Sequence, residues 1–229
     1  MPVDALLFDK DGTLFDFAAT WSAWTGRLIR DFAKGDPAHA SRIAEVLGFD
    51  LERETFAPDS VVIAHSNDEI AEALSAVLPG QSAEEIAVYM AESAAEADLV
   101  PATDLHDLLD RLIGRGLVLG VMTNDAELSA RAQLSAAGVL ERFTFVAGCD
   151  SGYGAKPDPD PLLAFCEAVG VSPERTAMVG DSAHDLVAGR AAGMRTLGVL
   201  TGMAGSEALQ PHADAVLPDI GHIPGWLAA

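Results

Sequence analysis

The sequence has little positive charge. Its 229 residues include 14 Lys and Arg against 35 Asp and Glu, which gives a formal net charge of −21, and the only lysines are Lys10, Lys34 and Lys156. Nucleic acids and anionic membranes are bound through basic patches, so the composition argues against both as partners. A small anionic ligand would need positive charge from a metal ion or from a few basic side chains positioned at its binding site. The positions of the lysines therefore need particular attention.

Cysteine and long apolar runs are also scarce. Cys149 and Cys166 are far apart and form no CxxC pair, so the sequence predicts neither a disulfide framework nor a zinc site. We expect two buried free thiols. Asp4 and Asp9 interrupt the apolar N-terminal segment, and no later run approaches the length of a membrane span. We therefore expect a cytoplasmic protein, while nothing in the sequence specifies an oligomeric state.

Short apolar runs alternate with helical patterns in much of the chain. With 49% hydrophobic and 21% charged residues, the composition is typical of a folded globular protein. Alternation of strands and helices at this spacing favours an open parallel α/β sheet of the Rossmann-like kind, covered on both faces. The predicted strands are residues 3–8, 117–122, 143–146, 176–179 and 196–200, and the predicted helices between them are residues 127–137, 161–169 and 185–192.

A long segment, residues 16–99, separates the first predicted strand from the second. It has helical periodicity over residues 38–47, 68–78 and 83–95, breaks at Pro37, Pro58 and Pro79, and a single strand-like run at residues 61–64. A segment of this length is too long for a loop. We predict an all-helical cap domain over the carboxyl edge of the sheet, inserted into a core of residues 1–15 and 100–229.

Polar residues follow most of the predicted strands. In open α/β folds, ligands bind at the carboxyl ends of the strands, so these residues are the candidates for a site. In chain order they are Asp9-Lys10-Asp11-Gly12-Thr13, Thr123-Asn124, Lys156-Pro157 and Gly180-Asp181-Ser182.

Asp9 and Asp11 are two positions apart, so an extended backbone directs both side chains to the same side. If their environments differ, one carboxylate can attack a phosphorus atom while the other carries the proton for the leaving group. Gly12 would let the backbone approach a phosphate or adopt a positive φ. The alternative is an ordinary turn that uses Asp and Gly for conformation.

Thr123, Asn124 and Lys156 are candidate phosphate ligands. A hydroxyl and backbone N–H groups at the start of a helix can bind phosphate oxygens, although Thr-Asn-Asp is also a good capping sequence. Lys156 lies in a proline-rich loop and could act as a cation for the phosphate, or it could be a solvated surface lysine.

Asp181 and Asp185 lie four residues apart at the start of a predicted helix and share one face. Aspartates at this position also occur for helix-dipole reasons alone. Mg²⁺ prefers a few carboxylates together with water and substrate phosphate. Asp9, Asp181 and Asp185, with the backbone carbonyl of Asp11, could supply that set, and Mg²⁺ with Lys156 would cancel the three negative charges if Asp11 is protonated.

The ordered segments FDKDGTLFD, VMTN, AKPDP and VGDSAHDLVAGRAAGM resemble the four motifs of the haloacid dehalogenase superfamily. The resemblance covers roughly residues 1–15 and 100–220, and the insert resembles the cap of subfamily I in its phosphoglycolate phosphatase-like branch. It implies a nucleophile at Asp9, an acid/base at Asp11, phosphate binding by Thr123 and Lys156, and Mg²⁺ held by Asp181 with support from Asp185.

Two residues depart from that branch. Lys10 stands where an apolar residue is common, and Phe17 follows Asp16 where serine is common. Alternation along a strand favours a Lys10 side chain that points away from Asp9 and Asp11. Dehalogenases do not need an acid/base aspartate two residues after the nucleophile, so Asp11 argues against that chemistry. The P-type ATPases have threonine at the position that Asp11 occupies in this chain.

The sequence therefore predicts a magnesium-dependent phosphatase that acts on a small phosphorylated metabolite, phosphoglycolate or a sugar phosphate, through an aspartyl-phosphate intermediate. A β-phosphoglucomutase-like phosphomutase and a non-catalytic acidic binding module are the alternatives.

In the insert, the candidate anion contacts are Arg27, Arg30, Arg53 and His65, and Trp21 and Trp24 could line a leaving-group pocket. For all of these, solvated arginines and buried cap aromatics are the simpler interpretation.

Overall fold

The computed structural model of the protein describes residues 3–57, 59–64, 67–95 and 97–228. The chain divides into two compact units. We call them the sheet unit, which contains residues 1–17 and 99–229, and the insert unit, which contains residues 18–98.

The elements follow one another in a βα pattern outside the insert. In chain order the strands are β1 (Ala5–Phe8), β2 (Phe49–Asp50), β3 (Thr55–Phe56), β4 (Val118–Met122), β5 (Phe145–Ala147), β6 (Thr176–Gly180), β7 (Arg195–Val199) and β8 (Ala215–Leu217). The helices are α1 (Phe17–Ala33), α2 (Pro37–Leu47), α3 (Val61–Ala64), α4 (Asn67–Ser75), α5 (Ala83–Ala95), α6 (Leu105–Gly114), α7 (Glu127–Ala136), α8 (Asp160–Val169), α9 (Ala183–Ala191), α10 (Ser206–Leu209) and α11 (Ile223–Trp226).

The sheet unit is built on a parallel sheet. Among the described residues six strands pair in the order β5-β4-β1-β6-β7-β8, and each pair is parallel. The chain adds β4 and β5 on one side of β1 and then β6 to β8 on the other, so the strand order reverses at β1. In such sheets the reversal point is where ligands bind. The predicted open parallel α/β sheet is confirmed.

The two faces of the sheet carry separate cores. Successive side chains of a strand point to opposite faces. Leu6 and Phe8 of β1 therefore pack with the leucines of α6, whereas Ala5 and Leu7 pack with Phe165 of α8 and with Ala188 of α9. Because both faces of β1 are covered, its side chains are all apolar, and the first polar side chain comes where the strand ends.

The sixth strand, β8, was not predicted. It is only three residues long, and its side chains are half-buried. A run of three residues is too short to show the alternation of apolar and polar residues that is typical of a strand. The strand is defined instead by its pairing with β7, in which Gly198 is in register with Val216.

The insert unit is mainly helical. Asp36 caps α2 by accepting hydrogen bonds from two backbone N–H groups, Pro37 occupies the first turn, and Gly48 ends the helix with φ +63°. Two predictions were wrong. Residues 61–64 form the helix α3 instead of a strand, and the insert is not all-helical, because β2 and β3 form an antiparallel pair.

One cysteine differs from expectation. Cys166 is buried, as predicted, but Cys149 is exposed; both are free thiols. Cys149 follows β5 in a turn, whereas Cys166 lies on the inner face of α8. Among the described residues no helix combines the length and apolar character that crossing a bilayer requires.

Candidate active site

Strand register brings the predicted site residues together. Phe8, the last residue of β1, is in register with Val121 of β4 and with Val179 of β6. The residues that follow these strands therefore lie at one edge of the sheet, with Asp9 in the middle. The backbone N–H of Asp9 donates to the carbonyl of Val179 at 2.8 Å, which fixes the first residue of the loop that follows β1.

Lys156 lies at the centre of the site. Its side chain is buried, and its Nζ is 2.5 Å from Asp9 Oδ1, 2.6 Å from Asp185 Oδ1 and 2.9 Å from the backbone carbonyl of Met122, to which it donates. The alternative of a solvated surface lysine is therefore wrong. Although burial lowers the pKa of Lys156, the Asp185 and Asp9 carboxylates raise it above its ordinary value, so the side chain remains charged.

Three carboxylates surround a space that suits a metal ion. Asp9, Asp181 and Asp185 each offer an oxygen atom, and these atoms lie within 4.8 Å of one another. All the donors are hard oxygen atoms, which fits Mg²⁺ and does not favour soft metals.

The electrostatics of this cluster also fit a cation. Burial raises the pKa of Asp9 to about 7, with Asp185 and Asp11 adding to the shift and Lys156 opposing it. Burial, followed by repulsion from Asp9 and Asp185, raises the pKa of Asp181 well above its usual value. The single charge of Lys156 does not balance three carboxylates, so a divalent cation would offset the remaining negative charge and favour ionised Asp9 and Asp181.

We expect Mg²⁺ to stabilise the protein more as the pH rises. Without metal, the raised pKa values mean that Asp9 and Asp181 bind more protons in the folded protein than in the unfolded chain between about pH 4 and about pH 7, so the contribution of these two groups to stability falls as the pH rises through that range. Bound Mg²⁺ would replace those protons. The rise in Tm on adding excess Mg²⁺ to protein in EDTA should therefore grow from about pH 5 to about pH 7.5. Other carboxylates titrate in both samples and cancel in the difference; a rise that is independent of pH would contradict the expectation.

Asp185 is held by its own helix. Ser182 is the N-cap of α9, and Asp185 at the third position completes a capping box in which Asp185 Oδ2 accepts from the N–H of Ser182 at 3.1 Å and from its hydroxyl at 2.7 Å. The other oxygen faces Lys156. Asp185 thus fixes Lys156 and adds negative charge beside Asp181.

Thr123 and Asn124 lie in different environments. The Thr123 hydroxyl is buried and accepts from the N–H of Asp125 at 3.1 Å, which leaves its own proton to donate. The Asn124 side chain instead pairs with the backbone of Lys156, donating to its carbonyl and accepting from its N–H, both at 2.9 Å. The side-chain amide therefore anchors the loop that carries Lys156. A contact between Asn124 and phosphate stays a prediction, and it would be made by the backbone N–H of Asn124.

Thr13 and Gly12, which belong to the predicted site, lie near Asp181 together with two residues that sequence reasoning missed, Thr201 and Gly202. Thr13 donates to Asp181 Oδ1 at 3.3 Å, and Thr201 donates to the carbonyl of Gly12 at 2.7 Å. Gly12 has φ +76°, and a Cβ on either Gly12 or Gly202 would overlap the Asp181 carboxylate. Gly202 belongs to no recognisable sequence motif. The only available signal is its position, because Thr201 and Gly202 directly follow a predicted strand, where ligand-binding residues are expected.

Lys10 is not where alternation along the strand predicted it. Its Nζ is 2.6 Å from Asp11 Oδ2 and 3.4 Å from Asp125 Oδ2, and it donates to Gln133 Oε1. The prediction that it points away from Asp11 was wrong, because β1 ends at Phe8 and residues 10–13 form a turn that breaks the alternation.

The candidates in the insert unit have ordinary environments. Arg27, Arg30 and Arg53 are exposed. Trp24 is buried, donates to Ser93 at 3.1 Å and contacts the ring of Trp21 edge-on. His65 lies outside the described residues. Their predicted contacts with a ligand stay predictions.

Known proteins resemble this chain along most of its length. The sequence model of the haloacid dehalogenase-like hydrolases matches residues 6–199. The phosphoglycolate phosphatase of Rhodospirillum rubrum is 31% identical over 226 residues, which cover 97% of this chain and 90% of that protein.

Solved structures share the fold. A haloacid dehalogenase family hydrolase from Deinococcus radiodurans, with bound phosphate and sodium, has a TM-score of 0.74 at 21% identity and covers 99% of this chain and 96% of its own. A protein of Thermotoga maritima assigned as a β-phosphoglucomutase has a TM-score of 0.73 at 20% identity and covers 99% of both chains. The chain therefore belongs to the haloacid dehalogenase-like hydrolase family, in its phosphoglycolate phosphatase-like branch, and is an enzyme of the phosphatase class.

Proposed function

We propose that the protein is a magnesium-dependent phosphatase that hydrolyses a small phosphate monoester through a phosphoaspartyl intermediate on Asp9. The observation that carries the proposal is the position of Asp9 Oδ1, 2.5 Å from the buried Lys156 ammonium and inside a cluster of three carboxylates. An anionic nucleophile can meet an anionic phosphate only beside positive charge, which the Lys156 ammonium supplies and a bound Mg²⁺ would increase.

Asp9 and Asp11 divide the chemistry. Asp9 attacks phosphorus while Asp11 gives its proton to the oxygen of the leaving alcohol. Asp11, now a carboxylate, takes a proton from the water that attacks the phosphoaspartate, which releases phosphate and regenerates both side chains.

Neighbouring groups bind the transferred phosphoryl group. The Lys156 ammonium and the Thr123 hydroxyl are available to its oxygen atoms, with Gly12 allowing close approach of the backbone. Asp9, Asp181 and the carbonyl of Asp11 would hold Mg²⁺, with Asp185 behind them. A bound Mg²⁺ supplies the positive charge that offsets the carboxylates and the phosphate dianion.

The substrate we propose is phosphoglycolate or a sugar phosphate. The similarity to the phosphoglycolate phosphatase of Rhodospirillum rubrum supports phosphoglycolate as the first ester to test. We further propose that residues 16–99 act as a cap that selects the leaving alcohol and excludes water, as inserts in capped enzymes do.

The proposal is tested by phosphate release and by trapping the intermediate. We expect Mg²⁺-dependent turnover of at least one ester among 2-phosphoglycolate, a hexose phosphate and p-nitrophenyl phosphate, with loss of turnover in EDTA. Acid quench followed by borohydride should reduce the acyl phosphate and convert position 9 to homoserine, which peptide mass analysis detects.

Other results would identify the alternatives. Isomerisation of a sugar phosphate that outpaces phosphate release would favour a phosphomutase with the same intermediate. Bound metal without turnover of any ester would favour a binding module and contradict the proposal.

A further inference from the structure

Lys10 is buried in the sheet unit, and the proposed phosphoryl transfer does not use it. Its side chain has 0% exposure, although it lies between the two aspartates of the first motif. Its ammonium contacts Asp11, Asp125 and Gln133, the last of which lies 123 positions away on α7. Lys156 is the lysine in direct contact with Asp9, whereas the direct contacts of Lys10 are with these other residues.

The energetic cost of this arrangement indicates a role other than stability. Taking the Lys10 ammonium out of water carries a large desolvation penalty, which its ion pairs with the partly exposed carboxylates of Asp11 and Asp125 seldom exceed. Gln133 uses its carbonyl for Lys10, while its buried Nε2 has no hydrogen-bond partner in the part of the chain that the structure describes. Apolar residues at positions 10 and 133 would avoid both costs.

The geometry joins this network to Asp11. Asp11 keeps 22% of its side-chain surface exposed, and its Oδ2 lies 2.6 Å from the Lys10 ammonium on the buried side. Lys10 is in turn held from two directions, by Gln133 on α7 and by Asp125 in the loop before it. Asp125 is itself fixed by Ser129, which donates to its Oδ2 at 2.8 Å. The ammonium is a rigid anchor for one oxygen of a partly exposed carboxyl group.

We infer that Lys10 is a positioning residue, which holds the Asp11 carboxyl in the orientation that delivers a proton to the leaving oxygen. Gln133 and Asp125 keep the ammonium in place. The inference rests on the proposed function, in which Asp11 is the general acid. A freely rotating Asp11 would meet the leaving oxygen only part of the time, and proton transfer requires geometry first.

The test compares leaving groups. In Lys10→Met, kcat/KM for an alkyl phosphate such as 2-phosphoglycolate should fall about 10- to 100-fold, because an alkoxide needs a proton as it leaves. For p-nitrophenyl phosphate, whose leaving group is a stable anion, kcat/KM should fall by less than about 3-fold. This parameter reports the steps up to phosphoryl transfer, so slow hydrolysis of the intermediate does not mask the difference. Lys34→Met, which removes an exposed lysine, is the matched control and should leave both values unchanged.

A double mutant shows whether Lys10 acts through Asp11. Asp11→Asn should give the same leaving-group pattern with a larger loss, and adding Lys10→Met to it should cost nothing further. Equal losses on both substrates, or a Lys10→Met loss that persists in the Asp11→Asn background, would overturn the inference. If Asp11→Asn itself showed no dependence on the leaving group, the proposed function would fail instead. Should Lys10→Met not fold, Gln133→Met removes one anchor of the ammonium and should give a smaller loss with the same preference for alkyl phosphate.

Discussion

Replacing Asp9 with asparagine should lower turnover by about 10⁴-fold or more while the protein stays folded. An amide oxygen is a far weaker nucleophile than a carboxylate, so no phosphoaspartate should form. The fold should tolerate the change, since the amide oxygen can still accept from Lys156. Loss of one negative charge also relieves repulsion among Asp9, Asp181 and Asp185. Phosphate release under Mg²⁺ saturation and Tm in EDTA measure the two effects.

The result separates chemistry from folding. We expect Tm of Asp9→Asn in EDTA to equal or exceed that of the unchanged protein. Asp68→Asn, which alters an exposed aspartate in the first turn of α4, is the matched control and should keep full turnover. Intact mass excludes deamidation of the introduced asparagine. Undiminished turnover in Asp9→Asn would rule out the proposed nucleophile.

Lys156→Met should have the largest effect on stability. It leaves the buried carboxylates of Asp9 and Asp185 without their common cation, and removing one partner of a buried ion pair costs about 3–5 kcal/mol. For a chain of this size that corresponds to a fall in Tm of about 10 °C in EDTA. Turnover should fall about 100-fold or more, because a cation beside the transferred phosphoryl group is lost.

Mg²⁺ should rescue only one of these losses. A divalent cation can balance the negative charge that Lys156→Met leaves uncompensated in the cluster, so saturating Mg²⁺ should restore much of the Tm of this variant while turnover stays low. Lys34→Met is the control, because it makes the same replacement of lysine by methionine at an exposed position. An unchanged Tm in EDTA would mean that the Lys156 ammonium does not hold the two carboxylates together.

Local pattern was sufficient for the elements that carry the first and fourth motifs. The apolar run before Asp9 and the run before Asp181 are strands because both faces of β1 and β6 are buried, and burial shows directly in composition. The N-terminus of α9 follows from Ser182 and Asp185, whose capping box is a matter of three-residue spacing. Such signals lie within a few residues and do not depend on the rest of the fold.

Side-chain partners were less predictable. Asn124 has a good phosphate-binding position along the chain, yet its amide is paired with the peptide groups of Lys156, 32 residues away. Lys10 was expected to follow the alternation of β1, but the strand ends before it and its side chain turns to Asp11 and Gln133. In both cases the deciding partner comes from a distant part of the chain.

The sequence by itself determined which residues follow the strands and hence the chemical groups at the edge of the sheet: Asp9 and Asp11, Thr123, Lys156 and Asp181. Periodicity, capping and burial are properties of short segments, so they survive in the order of the amino acids. Only the tertiary structure decided that one ammonium joins Asp9 to Asp185 and that another holds Asp11. The first pairing depends on strand order and register, which bring Lys156 to Asp9, 147 positions away. The second depends on the turn after β1 and on Gln133, which binds Lys10 from 123 positions away.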